Sequence, residues 1–221
     1  MMSKNVSLLK TSFEDLLHNS AYDTNNDNEI NYLAIYREKK WTKTIYYGIF
    51  CYDGDFPLII RNPHIKKLFV EKNEFRLEDT LNGINLYWKG NLIKQVSKKD
   101  GYYNLFNKGM PVLHIKDDPN VFEDYKKLQM LQVFFIKYQN EKIFRHDFYS
   151  LYPQLINKKY YIKYKLMNDY DGISSIKNTG FNDSEGNRLF EYIRFDNNVF
   201  GIAYKNPFTF LYSFMIGASI S

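Results

Sequence analysis

Lysine and tyrosine crowd one short stretch of this sequence: Lys158, Lys159, Tyr160, Tyr161, Lys163, Tyr164 and Lys165. The alternation from Tyr160 to Leu166 predicts a half-buried strand with its lysines on one face. Ammonium groups at such spacing can hold an anion, although a solvated rim is the commoner use of them. The candidate ligand-binding residues are therefore Lys158, Lys159, Lys163, Lys165 and Tyr161. The adjoining rings would also suit the bases of single-stranded nucleic acid. Two further basic groups occur earlier, Arg37, Lys39, Lys40 and Lys43, then His64, Lys66, Lys67 and Lys72.

Other chemistry has thinner support. The histidines His18, His64, His114 and His146 are scattered, and none has the spacing of a zinc ligand pair. His146, Asp147 and Glu191 could serve as acid–base groups, but no motif accompanies them. Asp23, Asn25, Asp27 and Glu29 follow the first half of a calcium loop. Asn28 stands where the turn glycine belongs, and Ala34 where the bidentate glutamate belongs, so a solvated turn is expected there. No phosphate-binding glycine loop and no Gly-x-Ser-x-Gly elbow occur. No metal, no cofactor and no catalytic residue is expected.

The chain has 221 residues, 30 basic and 25 acidic, a net charge of +5. That is long enough for a self-sufficient core, and too mildly basic to signal nucleic acid by itself. One cysteine, Cys51, excludes an internal disulfide; its apolar neighbours Phe50 and Tyr52 predict an inert buried thiol. The first residues lack the apolar core and cleavage site of a signal peptide. A cytoplasmic protein is expected, peripheral at a membrane if its basic face engages one.

The elements that must position these residues are mostly strands. Period-two patterns with Gly- and Asn-containing turns recur from Ile30 onward. They predict strands at Ile30–Tyr36, Trp41–Tyr52, Phe56–Arg61, Lys67–Val70 and Glu74–Leu77. Gly83–Trp88 with Leu92–Val96, and Gly101–Phe106 with Met110–Ile115, read as hairpins. Leu131–Tyr138, Lys142–Arg145, Tyr160–Leu166, Arg188–Phe195 and Val199–Tyr204 complete the set. Helices are expected at Val6–Asn19 and Val121–Gln129. From Phe208 to Ile220 there is no charge. This run falls short of the roughly 20 apolar residues of a membrane span, so it predicts a short helix sunk in a core. The fold expected is a β-rich α+β antiparallel meander of about a dozen strands. It closes into a barrel around the C-terminal helix, because an open sheet that size would expose its edges. Residues 1–29 would form an N-terminal helix and polar loop outside, and 30–221 one barrel-like domain.

Asp196-Asn197-Asn198-Val199-Phe200-Gly201-Ile202-Ala203-Tyr204, followed by Phe214-Met215-Ile216-Gly217-Ala218, resembles the end of the phospholipid scramblase and tubby-like superfamily. The resemblance implies a twelve-stranded antiparallel barrel around a central apolar helix. It also implies that a basic patch would engage anionic lipid headgroups. The second acidic position of the scramblase segment is Asn198 here, the next residue is apolar Val199, and no cysteine cluster for acylation is present. These departures count against a calcium role, and the resemblance is stronger for fold than for lipid transport.

The expected function is a non-enzymatic binding module, a tubby-like barrel that engages anionic lipid headgroups or an acidic protein. Alternatives are a nucleic-acid-binding protein using the Lys/Tyr strand, or an enzyme on a β-rich scaffold.

Overall fold

The computed structural model describes residues 29–52, 54–72, 74–107, 109–119, 130–139, 142–157 and 159–221. Strands β1 (Asn31–Lys39), β2 (Lys43–Cys51), β3 (Phe75–Thr80), β4 (Gly83–Trp88), β5 (Asn91–Lys99), β6 (Tyr102–Asn107), β7 (Met110–Asp117), β8 (Leu131–Gln139) and β9 (Lys142–Tyr149) follow one another. After the short β10 (Gln154–Ile156) and β11 (Lys159–Tyr161) come β12 (Thr179–Asn182), β13 (Arg188–Arg194) and β14 (Val199–Tyr204). Helices α1 (Phe56–Ile60) and α2 (Ile65–Lys72) lie between β2 and β3, and α3 (Phe210–Ile220) follows β14.

Twelve strands form one antiparallel sheet in the order β12-β13-β14-β1-β2-β3-β4-β5-β6-β7-β8-β9. A bridge between Ser150 and Phe181 brings its two edges together, so the barrel is nearly closed. β10 and β11 pair only with each other.

The apolar tail is the reason the barrel can close. All of α3 except Ser219 is buried. A helix apolar on every side needs packing on every side, and the barrel wall supplies it. Thr209 caps the helix, its hydroxyl accepting the Tyr212 N–H at 3.2 Å. Rings from the wall meet rings on the helix: Phe75 with Phe210 at 5.0 Å, and Phe135 with Tyr212 at 4.7 Å. Phe148 meets Phe208, just before the helix, at 4.6 Å. The Tyr212 hydroxyl donates to the Ile136 carbonyl, and the Tyr103 N–H donates to Ser219 Oγ. Glycine permits the closest approaches. A Cβ on Gly48 would lie 2.6 Å from the Phe214 ring.

One side of the barrel is covered outside as well. On β1, Leu33 and Ile35 face inward, while Tyr32 and Ala34 join an outer cluster with Phe56, Ile60, Phe69, Leu166 and Met167. Helices α1 and α2 and the segment after β11 therefore form a second layer. Cys51 is part of it, and burial pushes its thiol up to about 12, matching the inert thiol expected.

The barrel, its strand number and its buried helix agree with the sequence reading; several elements differ. Phe56–Arg61 and Lys67–Val70 are helical rather than extended. Phe56 and Ile60 are spaced four apart and both buried, and Pro57 sits in the first turn, a helical arrangement read as a strand start. Phe69 is the buried residue of α2, whose cations stay in solvent. The strand expected over Tyr160–Leu166 ends at Tyr161. β9 continues to Tyr149, and β12 had no period-two signal because it is only four residues long. The helices expected at Val6–Asn19 and Val121–Gln129, and Asp23 to Asn28 of the polar loop, lie outside the described residues.

Candidate binding surface

The antiparallel order puts several turns at one end of the barrel. Lys39 pairs with Thr44, Lys43 with Thr80, and Thr80 with Gly83. The β1–β2 tip and the β3–β4 tip are therefore neighbours. Lys99 pairs with Tyr102, and Tyr36 with Val199, which places the β5–β6 and β13–β14 turns at the same end.

This hairpin end is basic. Lys40 and Lys66 both reach Glu38, at 3.3 and 2.7 Å. Burial favours the neutral form of Glu38, but these two lysines outweigh it and hold the carboxyl below its usual range. Lys43 pairs with Glu78, and Lys98 with Asp79. Lys39 and Lys99 are exposed and pair with no carboxylate among the described residues. The first two basic groups of the sequence thus converge, because α2 lies across β1 and β2.

A tighter cluster occupies the corner beside β14. Arg37 donates to the Asn197 carbonyl at 2.8 Å, and the Arg194 guanidinium donates to the Asn197 side chain. The Arg194 N–H donates to Asn178 Oδ1, which brings the neighbouring Lys177 alongside. Burial, then repulsion from Arg37, Lys39 and Arg194, lowers the Lys177 pKa. None of these four cations forms a side-chain ion pair with an Asp or Glu among the described residues. The Nε of Arg37 is buried with no hydrogen-bond partner among the described residues. The Asp196–Asn198 turn is held by two guanidinium groups, which electrostatically oppose a bound cation there.

The residues proposed from sequence fare differently. Lys158 lies outside the described residues. Lys159 and Tyr161 are on β11, in a two-stranded ribbon separate from the main sheet. Tyr161, Lys163 and Lys165 are exposed, but no strand aligns them, and Tyr164 is half-buried. The backbone here serves another group. Glu191 is fully buried, and its carboxylate accepts the N–H groups of Lys165, Leu166 and Met167 at 2.6, 2.9 and 2.9 Å. Arg188 donates to it as well. The stacking face imagined for nucleic acid is not formed by a continuous strand.

At the opposite end of the barrel, β9 runs past the end of β12 and leaves a cleft of about 660 Å³. His146 and Asp147 line it with Arg145, Asp183, Arg188 and Lys205; Glu191 does not. Two N–H groups of Arg145 donate to Asp147, each at 2.9 Å, and Asp183 accepts from Asn187. The three proposed acid–base groups are not brought together: one carboxylate is half of an ion pair, and Glu191 anchors a segment on the barrel exterior. No group of three metal-ligating side chains occurs among the described residues, and no described helix is long and apolar enough to cross a membrane.

No family model matches this chain, and no curated protein matches it in sequence. The hairpin end was missed as a site in the sequence because its cations come from four separate segments. Arg37 and Lys39 are visible in a basic run of the sequence; Lys99, Lys177 and Arg194 give no local signal.

Proposed function

We propose that this chain is a non-enzymatic binding module that holds anionic lipid headgroups at its basic hairpin end. The observation that carries the reading is the corner of Arg37, Lys39, Lys177 and Arg194. Four cations converge there without an Asp or Glu ion-pair partner among the described residues, and burial, then the repulsion of the other three, lowers the pKa of Lys177. Lys177 donates to the Ser221 carbonyl at 2.9 Å, and the two guanidinium groups donate to the Asp196–Asn198 turn. An arriving anion would relieve the remaining repulsion, its oxygens accepting first from the exposed Lys39. The exposed Lys39 and Lys99 would add long-range attraction to a negative surface. A barrel around a buried C-terminal helix also supports the likeness to the tubby-like and scramblase superfamily, for which lipid headgroups are apt ligands.

Sedimentation with phosphatidylcholine vesicles, with and without phosphatidylserine, tests this. Binding is expected only to the anionic vesicles, and it should weaken as salt rises. Each basic residue near such a surface contributes about 1 kcal/mol. The exposed pair Lys39→Glu and Lys99→Glu should therefore weaken binding at least tenfold without lowering the melting temperature. Lys163→Glu with Lys165→Glu should have little effect. Equal sedimentation with both vesicles at low salt overturns the lipid reading. Retention on poly-glutamate without vesicle binding would replace it by an acidic protein partner.

A further inference from the structure

We infer that Trp41 and Leu81 insert into the bilayer interface, so that the partner of the hairpin end is a membrane surface rather than a soluble polyanion; the inference rests on the lipid reading above. Trp41 is 102% exposed and Leu81 90% exposed. Neither belongs to the inner or the outer apolar cluster. Scattered exposed apolar residues are ordinary on soluble proteins. These two are not scattered, since they crown adjacent hairpins whose strands meet at the Lys43–Thr80 pair.

Their setting fits an interface. Lys39, Lys40 and Lys43 lie within two residues of Trp41, and Lys98 and Lys99 end the next hairpin strand beyond Leu81. An indole sits best where apolar chain and headgroup meet, and lysine stems can lie along apolar surface while their charges reach phosphates. Lys40, Lys43 and Lys98 are paired with Glu38, Glu78 and Asp79. The exposed Lys39 and Lys99, at the same end as the two projecting apolar side chains, still leave a positive charge that complements a bilayer with anionic lipid. A soluble polyanion would use only the cations.

The tips are also held in place. The Lys40 N–H donates to the Lys43 carbonyl at 2.8 Å. The Thr80 hydroxyl donates to the Gly83 carbonyl at 2.9 Å, and the Asn82 N–H donates to Thr80 Oγ1 at 3.2 Å. Presenting apolar groups from turns already ordered reduces the entropy lost on docking.

The test uses vesicles of phosphatidylcholine and phosphatidylserine. The difference in tryptophan emission between the wild type and Trp41→Phe isolates the contribution of Trp41. That difference should shift to the blue on vesicle binding and be quenched by lipids brominated on their chains. Trp41→Ser with Leu81→Ser should weaken vesicle binding about tenfold or more, leave the melting temperature unchanged, and make the remaining binding fully reversible by salt. Vesicle binding with an unshifted Trp41 and an unaffected double variant would overturn insertion while leaving the electrostatic reading intact. Absence of anionic-vesicle binding in the wild type would instead overturn the reading on which the inference rests.

Discussion

Gly217→Leu is expected to lower the melting temperature by about 6–12 °C or to leave no folded protein. A Cβ at this position would lie 2.5 Å from Cδ1 of both Ile202 and Ile35, closer than real Cβ contacts come. The isoleucines belong to β14 and β1, strands already packed on their outer face by α1 and the segment after β11. The wall therefore has little freedom to retreat. Overpacking of a tight core costs about 1–3 kcal/mol and sometimes more; with leucine the upper end applies. At this chain length each kcal/mol corresponds to about 2–4 °C. Removing the whole helix should be worse. Phe210, Leu211, Phe214, Met215 and Ile216 are all buried, and each large side chain stabilises by about 1.5–3 kcal/mol. Together they contribute on the order of 10 kcal/mol, comparable to the net stability of a domain. A chain ending at Asn206 should be insoluble or molten. A soluble truncation with an unchanged melting temperature would contradict the place of α3 inside the barrel.

Glu191→Ala should destabilise by about 3–5 kcal/mol, the cost of breaking a buried ion pair from one side. The substitution strands the buried guanidinium of Arg188 and leaves three backbone N–H groups of residues 165–167 without their acceptor. The melting temperature should fall by about 6 °C or more, and limited proteolysis should begin between residues 162 and 170. Glu191→Gln should recover only part of the loss, because an amide keeps an acceptor but not the charge opposite Arg188. Unchanged melting in Glu191→Ala would contradict this anchoring role.

The tail was legible in the sequence because it states its own requirement: an uncharged stretch too short for a membrane must be surrounded. The hairpins were legible where one face met solvent, as in β4, where alternation survives. Helices α1 and α2 were misread because their few apolar residues also fit a short strand. The buried spacing of Phe56 and Ile60 becomes visible only once the outer layer is known. Glu191 looks like a possible acid–base residue because a carboxylate in a strand carries no mark of the three backbone N–H groups it accepts, which lie more than twenty residues away; of its partners only Arg188 is close in sequence. The lysine–tyrosine stretch failed as a strand for a related reason. Its first residues pair with β10, the N–H groups of Lys165 and Leu166 go to Glu191, and nothing local reveals that long-range acceptor. The hairpin end was legible only in part: Arg37 and Lys39 stand in one basic run, but topology alone brings residues 177 and 194 beside them.

The central claim is that this end of the barrel, and not the lysine–tyrosine stretch or the cleft, meets an anionic membrane. Hydrogen exchange with and without vesicles of phosphatidylcholine and phosphatidylserine tests it most directly. Amides in residues 37–43, 80–83, 97–101 and 194–198 should exchange more slowly on the vesicles, while residues 144–149 and 159–165 should be unchanged. Slowed exchange at residues 159–165 or 144–149, with the hairpin end unaffected, would contradict the account.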